Sequence, residues 1–159
     1  MRRLEKTIRE IGWTHAVPRL GVTDRVSRAF DEMSREVHDC VLVMQGDALA
    51  GIFTSRDFLN RVAAERADPA SVVLGDVMTA TPRTLRPRDP IAFAINWMAV
   101  EGFRNVPIVD DGGDLLGVLT VWDVMRHLDA IFDEIDAAPR PIRPSDDISG
   151  VTSVDIGGG

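Results

Sequence analysis

The sequence predicts an α+β fold made of two similar halves, each containing a helix, two short strands and a second helix. The first observation behind this prediction is a pattern that occurs twice, as GIFTSRD at residues 51–57 and as GVLTVWD at residues 117–123. The second is that, before each copy, apolar residues at helical spacing are followed by two short apolar runs with a Gly- and Asp-rich turn between them. About 45 residues recur in this order, a span that favours internal duplication over chance.

The two halves align without a gap over their strands and their last helix. DCVLVMQGDALAGIFTSRDFLNRV, which starts at Asp39, aligns with NVPIVDDGGDLLGVLTVWDVMRHL, which starts at Asn105. Upstream of these segments, the helical stretch VSRAFDEM aligns with IAFAINWM after one inserted residue in the second copy. A half of this size buries too little surface to be comfortably stable alone, so we expect the two halves to pack together.

The elements of each half follow from its pattern of apolar residues. The spacing of apolar residues in VSRAFDEM predicts an amphipathic helix. The runs CVLVM and LAGIF, and VPIVD and LLGVL in the second copy, predict two strands that form a hairpin. A second helix is expected to begin at the Thr-x-x-Asp that ends the repeated pattern.

The same pattern divides the chain into four segments. Residues 1–13 are predicted to form an N-terminal helix, because their apolar residues share one helical face. Residues 14–68 form the first repeat, and residues 69–136 contain a Pro- and Thr-rich linker, the first strand of the second copy and the second repeat itself. Residues 137–159 have no periodicity and are rich in Pro, Gly, Ser and Asp, so we predict a flexible tail.

Composition and charge argue against several classes of function. The net charge of −7 and the pI of about 4.9 argue against general nucleic-acid binding, which needs clustered Lys and Arg. No apolar run approaches the roughly 20 residues that span a bilayer, and the basic N-terminus lacks the apolar core of a signal peptide, so we predict a cytoplasmic protein. Cys40 is the only cysteine, and the three histidines lack metal-ligand spacing, so neither a disulfide nor a metal site is expected.

The Thr-x-x-Asp motif has two interpretations, and the sequence leaves both open. In the first, Thr54 and Asp57 form a capping box, in which the hydroxyl and the carboxylate accept hydrogen bonds from free amides at the helix start. In the second, the corner binds a nucleotide, because the amides and the hydroxyl suit phosphate oxygens and the carboxylate can accept from a ribose diol. The repetition of the motif, and the Gly before each copy that permits close backbone approach, shift the balance toward the second.

These duplicated motifs resemble a pair of CBS (cystathionine-β-synthase) domains, and the resemblance covers about residues 14 to 135. VPIVDDGGDLLGVLTVWDVM is close to the family pattern, whereas CVLVMQGDALAGIFTSRDFL is looser. The resemblance implies two β-α-β-β-α repeats related by a pseudo-twofold axis. It also implies a regulatory module that binds an adenosine-containing ligand (AMP, ADP, ATP or S-adenosylmethionine) in two clefts between the repeats.

The family pattern also implies a role for each candidate site residue. Asp57 and Asp123 would hold ribose hydroxyls, and Thr54 and Thr120, with Arg56 in the first copy, would face phosphate. Residues around the base would come from the start of a strand in each copy and from the segment that leads into each repeat: Val41, Asn105, Val106, Pro107, Thr14, Thr79 and Thr81.

Departures from the family pattern predict that the two clefts differ. The second copy has Trp122 where the first has Arg56, and the first has Val41 where the second has Pro107. We favour the cleft of the first copy as the occupied one, because an arginine there helps to bind a di- or triphosphate.

The apolar surfaces of the repeat helices predict that the protein binds a partner. IAFAINWMAV contains a single polar residue, Asn96, and VWDVMRHLDAIFDEI carries a broad apolar stripe. A helix that is apolar all round is buried on more than one side. Packing within the monomer explains these faces, and so does a homodimer, which the family also implies; we predict the homodimer.

Two accounts of the function are therefore carried forward. The first is a sensor whose output passes to an unidentified regulated protein. The alternative is a purely structural interaction or dimerisation module with degenerate clefts. An enzyme is not predicted, because no nucleophile, base and oxyanion site assemble in the sequence and the duplication occupies most of the chain.

Overall fold

The computed structural model describes residues 6–36 and 38–133, with residue 36 and residues 129–133 described by their backbone alone. Residues 1–5 of the predicted N-terminal helix and the predicted tail at residues 137–159 lie outside the described residues. The elements follow in this order: α1 (Ile8–Ile11), β1 (Arg19–Gly21), α2 (Val26–Glu36), β2 (Cys40–Gln45), β3 (Ala48–Thr54), α3 (Ser55–Phe58) with a π-helical continuation (Leu59–Ala63), α4 (Leu74–Val77), β4 (Thr79–Ala80), α5 (Ile91–Glu101), β5 (Asn105–Val109), β6 (Leu115–Thr120) and α6 (Val121–Asp133).

Strands β1 to β4 form one sheet in chain order, and β5 and β6 form a second sheet. β1 is parallel to β2, whereas β2 with β3, β3 with β4, and β5 with β6 are antiparallel. Isolated bridges extend the second sheet in the same way, because Leu85 lies parallel to Ile108 and Thr14 lies antiparallel to Val118. The α+β fold and both predicted hairpins are confirmed.

The segment before each repeat pairs with the sheet of the other repeat. β4 belongs to the linker but pairs with β3 of the first half, and Thr14 pairs with Val118 of the second half. The sequence predicts the linker strand as the first strand of the second copy; in the structure the linker divides, with β4 on the first half and Leu85 on the second. The two halves are therefore interlocked by their connections.

Three groups of buried side chains form the core. One lies within the first half and includes Val41 and Phe53, and a second lies within the second half and includes Ile91 and Ile108. The third contains apolar residues from both halves: Val17, Cys40, Leu42, Ile52, Leu115 and Val118. Because this third group joins the two sheets, the halves share buried surface, as their small size requires.

Helix α1 packs on the second half of the molecule although it precedes the first. Its Ile8 is fully buried in the core of the second half, and α1 contacts α6. Ile8 N donates to Asp89 O at 3.0 Å, and Ile91 N donates to Lys6 O at 2.9 Å. The N-terminal segment is therefore an integral part of the second half.

Helix α5 is buried on one side only in the single chain. Ile91 and Ala94 are fully buried, whereas Phe93 is 52% exposed and Val100 is 74% exposed. α5 packs beside α6, and among the described residues none covers its outer face, so the predicted burial of that face in a homodimer stays a prediction. Among the described residues, none of the helices is both long enough and apolar enough to cross a membrane.

Candidate functional site

A cleft of about 490 Å³ opens between the halves beside the first Thr-x-x-Asp corner. We call it the first cleft. Its walls come from α3 and the strand ends of the first half, from the linker after β4, and from the loop between α5 and β5. It is lined by Asp39, Ile52, Thr54, Ser55, Arg56, Asp57, Leu59, Asn60, Thr79, Thr81, Pro82, Arg83, Gly102, Phe103, Arg104, Asn105 and Pro107.

The corner between Thr54 and Asp57 is a complete capping box. Asp57 Oδ2 accepts from Thr54 N at 2.9 Å and from Thr54 Oγ1 at 3.0 Å, and Asp57 N donates to Thr54 Oγ1 at 3.3 Å. The cap forms because β3 ends extended at Thr54 and the chain turns at once into α3. The capping interpretation is therefore confirmed, and the same two side chains also line the first cleft.

The second carboxylate oxygen of Asp57 connects α3 to the linker. Oδ1 accepts from Thr79 Oγ1 at 2.9 Å and lies 3.4 Å from Arg61 Nη1. Arg61 also donates to the carbonyl oxygens of Val77, at 3.0 Å, and Met78, at 2.5 Å. Asp57, of which 7% is exposed, is thus held in a fixed orientation by three segments before any ligand arrives.

Arg56 bridges the two halves across the first cleft. Its Nη2 donates to the carbonyl oxygen of Gly102 at 3.3 Å. Gly102 ends α5 in the left-handed conformation, with φ of 72°, a conformation that glycine adopts without steric cost. The guanidinium group therefore lies between the corner of the first half and the end of a helix in the second half.

Two further arginines line the first cleft. Arg83, in the linker, forms an ion pair with Glu101, and its guanidinium lies over the ring of Trp97 at 5.3 Å from the centroid. Arg104, in the loop after α5, is exposed. Neither arginine is among the site residues that the sequence predicts. From the sequence, Arg83 gives weak support to nucleic-acid binding, and Arg104 is interpreted as a solvated surface residue. The alignment of Arg104 with His38 is the one signal that pointed to phosphate.

The second Thr-x-x-Asp corner has the same cap but different surroundings. Asp123 Oδ2 accepts from Thr120 N and Thr120 Oγ1, both at 2.8 Å, and from Thr14 Oγ1 at 3.3 Å. Asp123 Oδ1 pairs with Arg126 of its own helix. Trp122, which aligns with Arg56, is 69% exposed. The second corner therefore has an indole where the first offers a guanidinium.

The structure brings most of the predicted site residues to the two corners. Around the first cleft it places Thr54, Arg56, Asp57, Thr79, Thr81, Asn105 and Pro107. Around the second corner it places Thr14, Thr120 and Asp123. The side chains of Val41 and Val106 are buried in the cores of the two halves, because strand side chains alternate between the two faces of a sheet.

Asn105 supplies an acceptor that the fold does not satisfy. Its Oδ1 is buried and has no hydrogen-bond partner among the described residues, although the residue lines the first cleft. A buried polar atom without a partner costs free energy unless a ligand or water satisfies it.

The repeated glycines serve strand packing. A Cβ on Gly51 would lie 2.9 Å from the carbonyl oxygen of Thr79, and a Cβ on Gly117 would overlap the carbonyl oxygen of Thr14. Each glycine therefore leaves room for the backbone of the segment that leads into a repeat. Because this segment also carries Thr79 or Thr14, the glycine brings a threonine within hydrogen-bond distance of the aspartate of its corner.

Cys40 belongs to the core that joins the two halves. Its side chain is 3% exposed, and burial away from water raises the pKa of its thiol to about 12, with a smaller contribution from the charge of Asp39. A thiol held neutral in this way is a poor nucleophile. Across the residues that the structure describes, His, Cys, Asp and Glu form no group suited to a metal ion.

The sequence is similar to characterised and uncharacterised relatives over about two thirds of its length. The CBS-domain family matches residues 9–64 and 74–130. CBS domain-containing protein CBSCBSPB1 of Arabidopsis thaliana is 34% identical over 68% of this chain and 20% of its own length. The protein MK0525 of Methanopyrus kandleri is 30% identical over 64% of this chain and 52% of its own length. The chain therefore spans between a fifth and about half of these relatives.

Solved structures share the fold. A protein with CBS domains from Burkholderia ambifaria superposes with a TM-score of 0.73 and 25% identity, over 79% of this chain and 95% of that one. The CBS domain protein PAE2072 of Pyrobaculum aerophilum, solved with AMP, gives a TM-score of 0.66 and 21% identity over 74% of this chain and 89% of that one. With two interlocked repeats, a Thr-x-x-Asp corner in each and two family matches in tandem, this chain belongs to the CBS-domain family as a CBS pair.

Proposed function

We propose that this protein is a regulatory sensor that binds an adenosine-containing nucleotide in the first cleft. The observation that carries the proposal is an open cleft of about 490 Å³ in which a buried carboxylate, Asp57, and a cation, Arg56, stand side by side. CBS-domain structures solved with AMP, namely CBSX2 and PAE2072, support the class of ligand. A volume of this size suits a small-molecule ligand.

The chemistry of the cleft matches the parts of a nucleotide. Asp57 Oδ1, which now accepts from Thr79, would accept hydrogen bonds from the ribose hydroxyls. Thr54 and Arg56 would contact the phosphate. Asn105 lines the same cleft, and its side-chain amide, which can donate and accept hydrogen bonds, would contact the base.

The output of binding would pass through Arg56. Its hydrogen bond to Gly102 connects the two halves, and a bound phosphate would compete with that carbonyl oxygen for the same guanidinium. Binding would therefore change how the halves are held together, by no more than the difference in ligand affinity between the two arrangements. A regulated protein would sense that change; we assign no catalytic step to the chain itself.

Ligand addition is expected to stabilise the purified protein. A ligand at 100 times its Kd raises the unfolding free energy by about 2.7 kcal/mol, because it binds the folded state alone. The measurement is the melting temperature with AMP, ADP, ATP and S-adenosylmethionine, with GTP as the control for the base. If no adenosine compound shifts the melting temperature, the sensor proposal is wrong and the CBS pair is a structural interaction module.

We also propose that the chain forms a homodimer through the outer faces of α5 and α6. Phe93, Val100 and Met125 are more than half exposed in the single chain, and α5 packs beside α6, so the exposed side chains lie on neighbouring helices. Large apolar side chains grouped on one surface mark an interaction site.

A charge on this surface is expected to dissociate the dimer. Val100→Glu should shift the sedimentation coefficient from dimer to monomer at micromolar concentration, because a carboxylate would lose its water at the interface. Ala64→Glu, which adds the same charge at an exposed position of the first half, is the control. A wild-type protein that sediments as a monomer would refute the proposal.

A further inference from the structure

We infer that the first cleft selects nucleoside di- or triphosphates over nucleoside monophosphates and over S-adenosylmethionine. The inference rests on the proposed function and names the ligand class within it. Three arginines on three different segments face this one cleft: Arg56 on α3, Arg83 in the linker, and Arg104 in the loop after α5. Two of them contact adjacent residues at the end of α5, and the third follows in the same loop.

The three arginines are related through the C-terminal end of α5. Arg56 donates to the carbonyl oxygen of Gly102 at 3.3 Å, and Arg83 pairs with Glu101, the adjacent residue. Arg104 follows Gly102 by two positions in the same loop. The guanidinium groups of Arg56 and Arg83 therefore contact two adjacent residues, and Arg104 belongs to the same short segment.

This cationic end lies beyond the corner that would hold the ribose. Asp57 and Thr79 stand on the α3 and β4 side of the cleft, whereas Arg56 extends from that corner to Gly102 on the opposite wall. A ribose at Asp57 would thus direct its phosphate chain along Arg56. The first phosphate would use Arg56, and only further phosphates would reach the side chains of Arg83 and Arg104.

The charges of the cleft favour a highly anionic ligand. Three arginines and two aspartates, Asp39 and Asp57, line the cleft. One charge of each sign already has a partner, since Asp57 lies 3.4 Å from Arg61 and Arg83 pairs with Glu101. Arg83 is held in position by Glu101 and by the ring of Trp97, so less side-chain entropy is lost when it binds. Each added phosphate supplies oxygen acceptors for charge-assisted hydrogen bonds with these groups.

The same charges disfavour S-adenosylmethionine. That molecule carries a positively charged sulfonium group where a nucleotide carries its first phosphate. At this position it would meet the guanidinium of Arg56, and like charges in a partly enclosed cleft repel. Arg88, which lies outside the cleft, pairs with Asp111 at 2.9 Å.

Calorimetric titration of the full chain with AMP, ADP, ATP and S-adenosylmethionine tests the inference. We expect ATP to bind about 10-fold or more tightly than AMP, as one or two charge-assisted hydrogen bonds predict. Arg104→Gln should remove about 10-fold of the ATP affinity and leave the AMP affinity within about twofold, and it should flatten the salt dependence of ATP binding. Arg88→Gln is the matched control and should change neither affinity.

Three results would overturn the inference while the proposed function stands: AMP binding as tightly as ATP, S-adenosylmethionine binding more tightly than either, or Arg104→Gln weakening ATP and AMP by the same factor. Failure of every adenosine compound to bind would instead refute the proposed function and this inference together. Arg104 is exposed, so its replacement should not unfold the protein, and an unchanged melting temperature of the free variant checks this.

Discussion

Asp57→Ala is expected to abolish nucleotide binding and to destabilise the free protein. The ligand would lose the charged acceptor for its ribose hydroxyls, which lowers affinity on the order of 100-fold. The fold would lose the cap of α3 and the hydrogen bond from Thr79, and Arg61 would lose its carboxylate partner. A cost of about 1–3 kcal/mol in unfolding free energy follows. Calorimetry measures the affinity, and urea denaturation measures the stability.

Asp123→Ala is the matched control for this prediction. It removes the same kind of cap from the start of α6, including the hydrogen bonds from Thr120 and Thr14. We expect a similar loss of stability and an unchanged affinity, because Trp122 takes the place of Arg56 at that corner and Arg126 lies on the helix beside Asp123. Loss of binding in Asp123→Ala with normal binding in Asp57→Ala would place the ligand at the second corner and refute our choice of cleft.

Gly117→Ala is expected to destabilise the protein by about 1–3 kcal/mol, because an added methyl group has no room. The new Cβ would overlap the carbonyl oxygen of Thr14 and lie 2.8 Å from Cδ1 of Trp13. Backbone cannot yield as a flexible side chain does, so the pairing of Thr14 with Val118 would have to open. The midpoint of urea denaturation should fall with an unchanged slope.

Gly21→Ala provides the comparison for steric crowding. Its added Cβ would meet its nearest neighbour, Oδ2 of Asp24, at 3.5 Å, which is ordinary van der Waals contact. We expect a change within about 0.5 kcal/mol. A Gly117→Ala variant as stable as Gly21→Ala would show that Trp13 and Thr14 do not pack against β6 as closely as in the structure.

Local patterns allowed much of the fold to be predicted. The hairpins follow from two apolar runs on either side of a Gly- and Asp-rich turn, and the helix starts follow from a capping box whose partners are three residues apart. Thr54, Arg56 and Asp57 could be named as site residues for the same reason, since one tight turn holds all three. Their place beside a cleft followed from the family resemblance.

Arrangements between distant segments could not be predicted in this way. β4 pairs with β3 because the linker folds back on the first half, and nothing in two residues, Thr79–Ala80, specifies that partner. Arg83 and Arg104 are 21 residues apart in a strongly acidic chain, and both line the first cleft with Arg56 because the linker and the loop after α5 meet there. What covers the apolar outer face of α5 could not be predicted from the helix itself, because coverage depends on what packs against it.

The sequence alone determined the duplication, the order of the elements and the two capped corners, because each depends on spacings of a few residues. The tertiary structure decided that the first corner faces an open cleft, which cations share that cleft, and why each repeated glycine is needed. Those features arise where the segment before one repeat crosses to the other, and such long-range pairings are fixed by the packing of the two halves together.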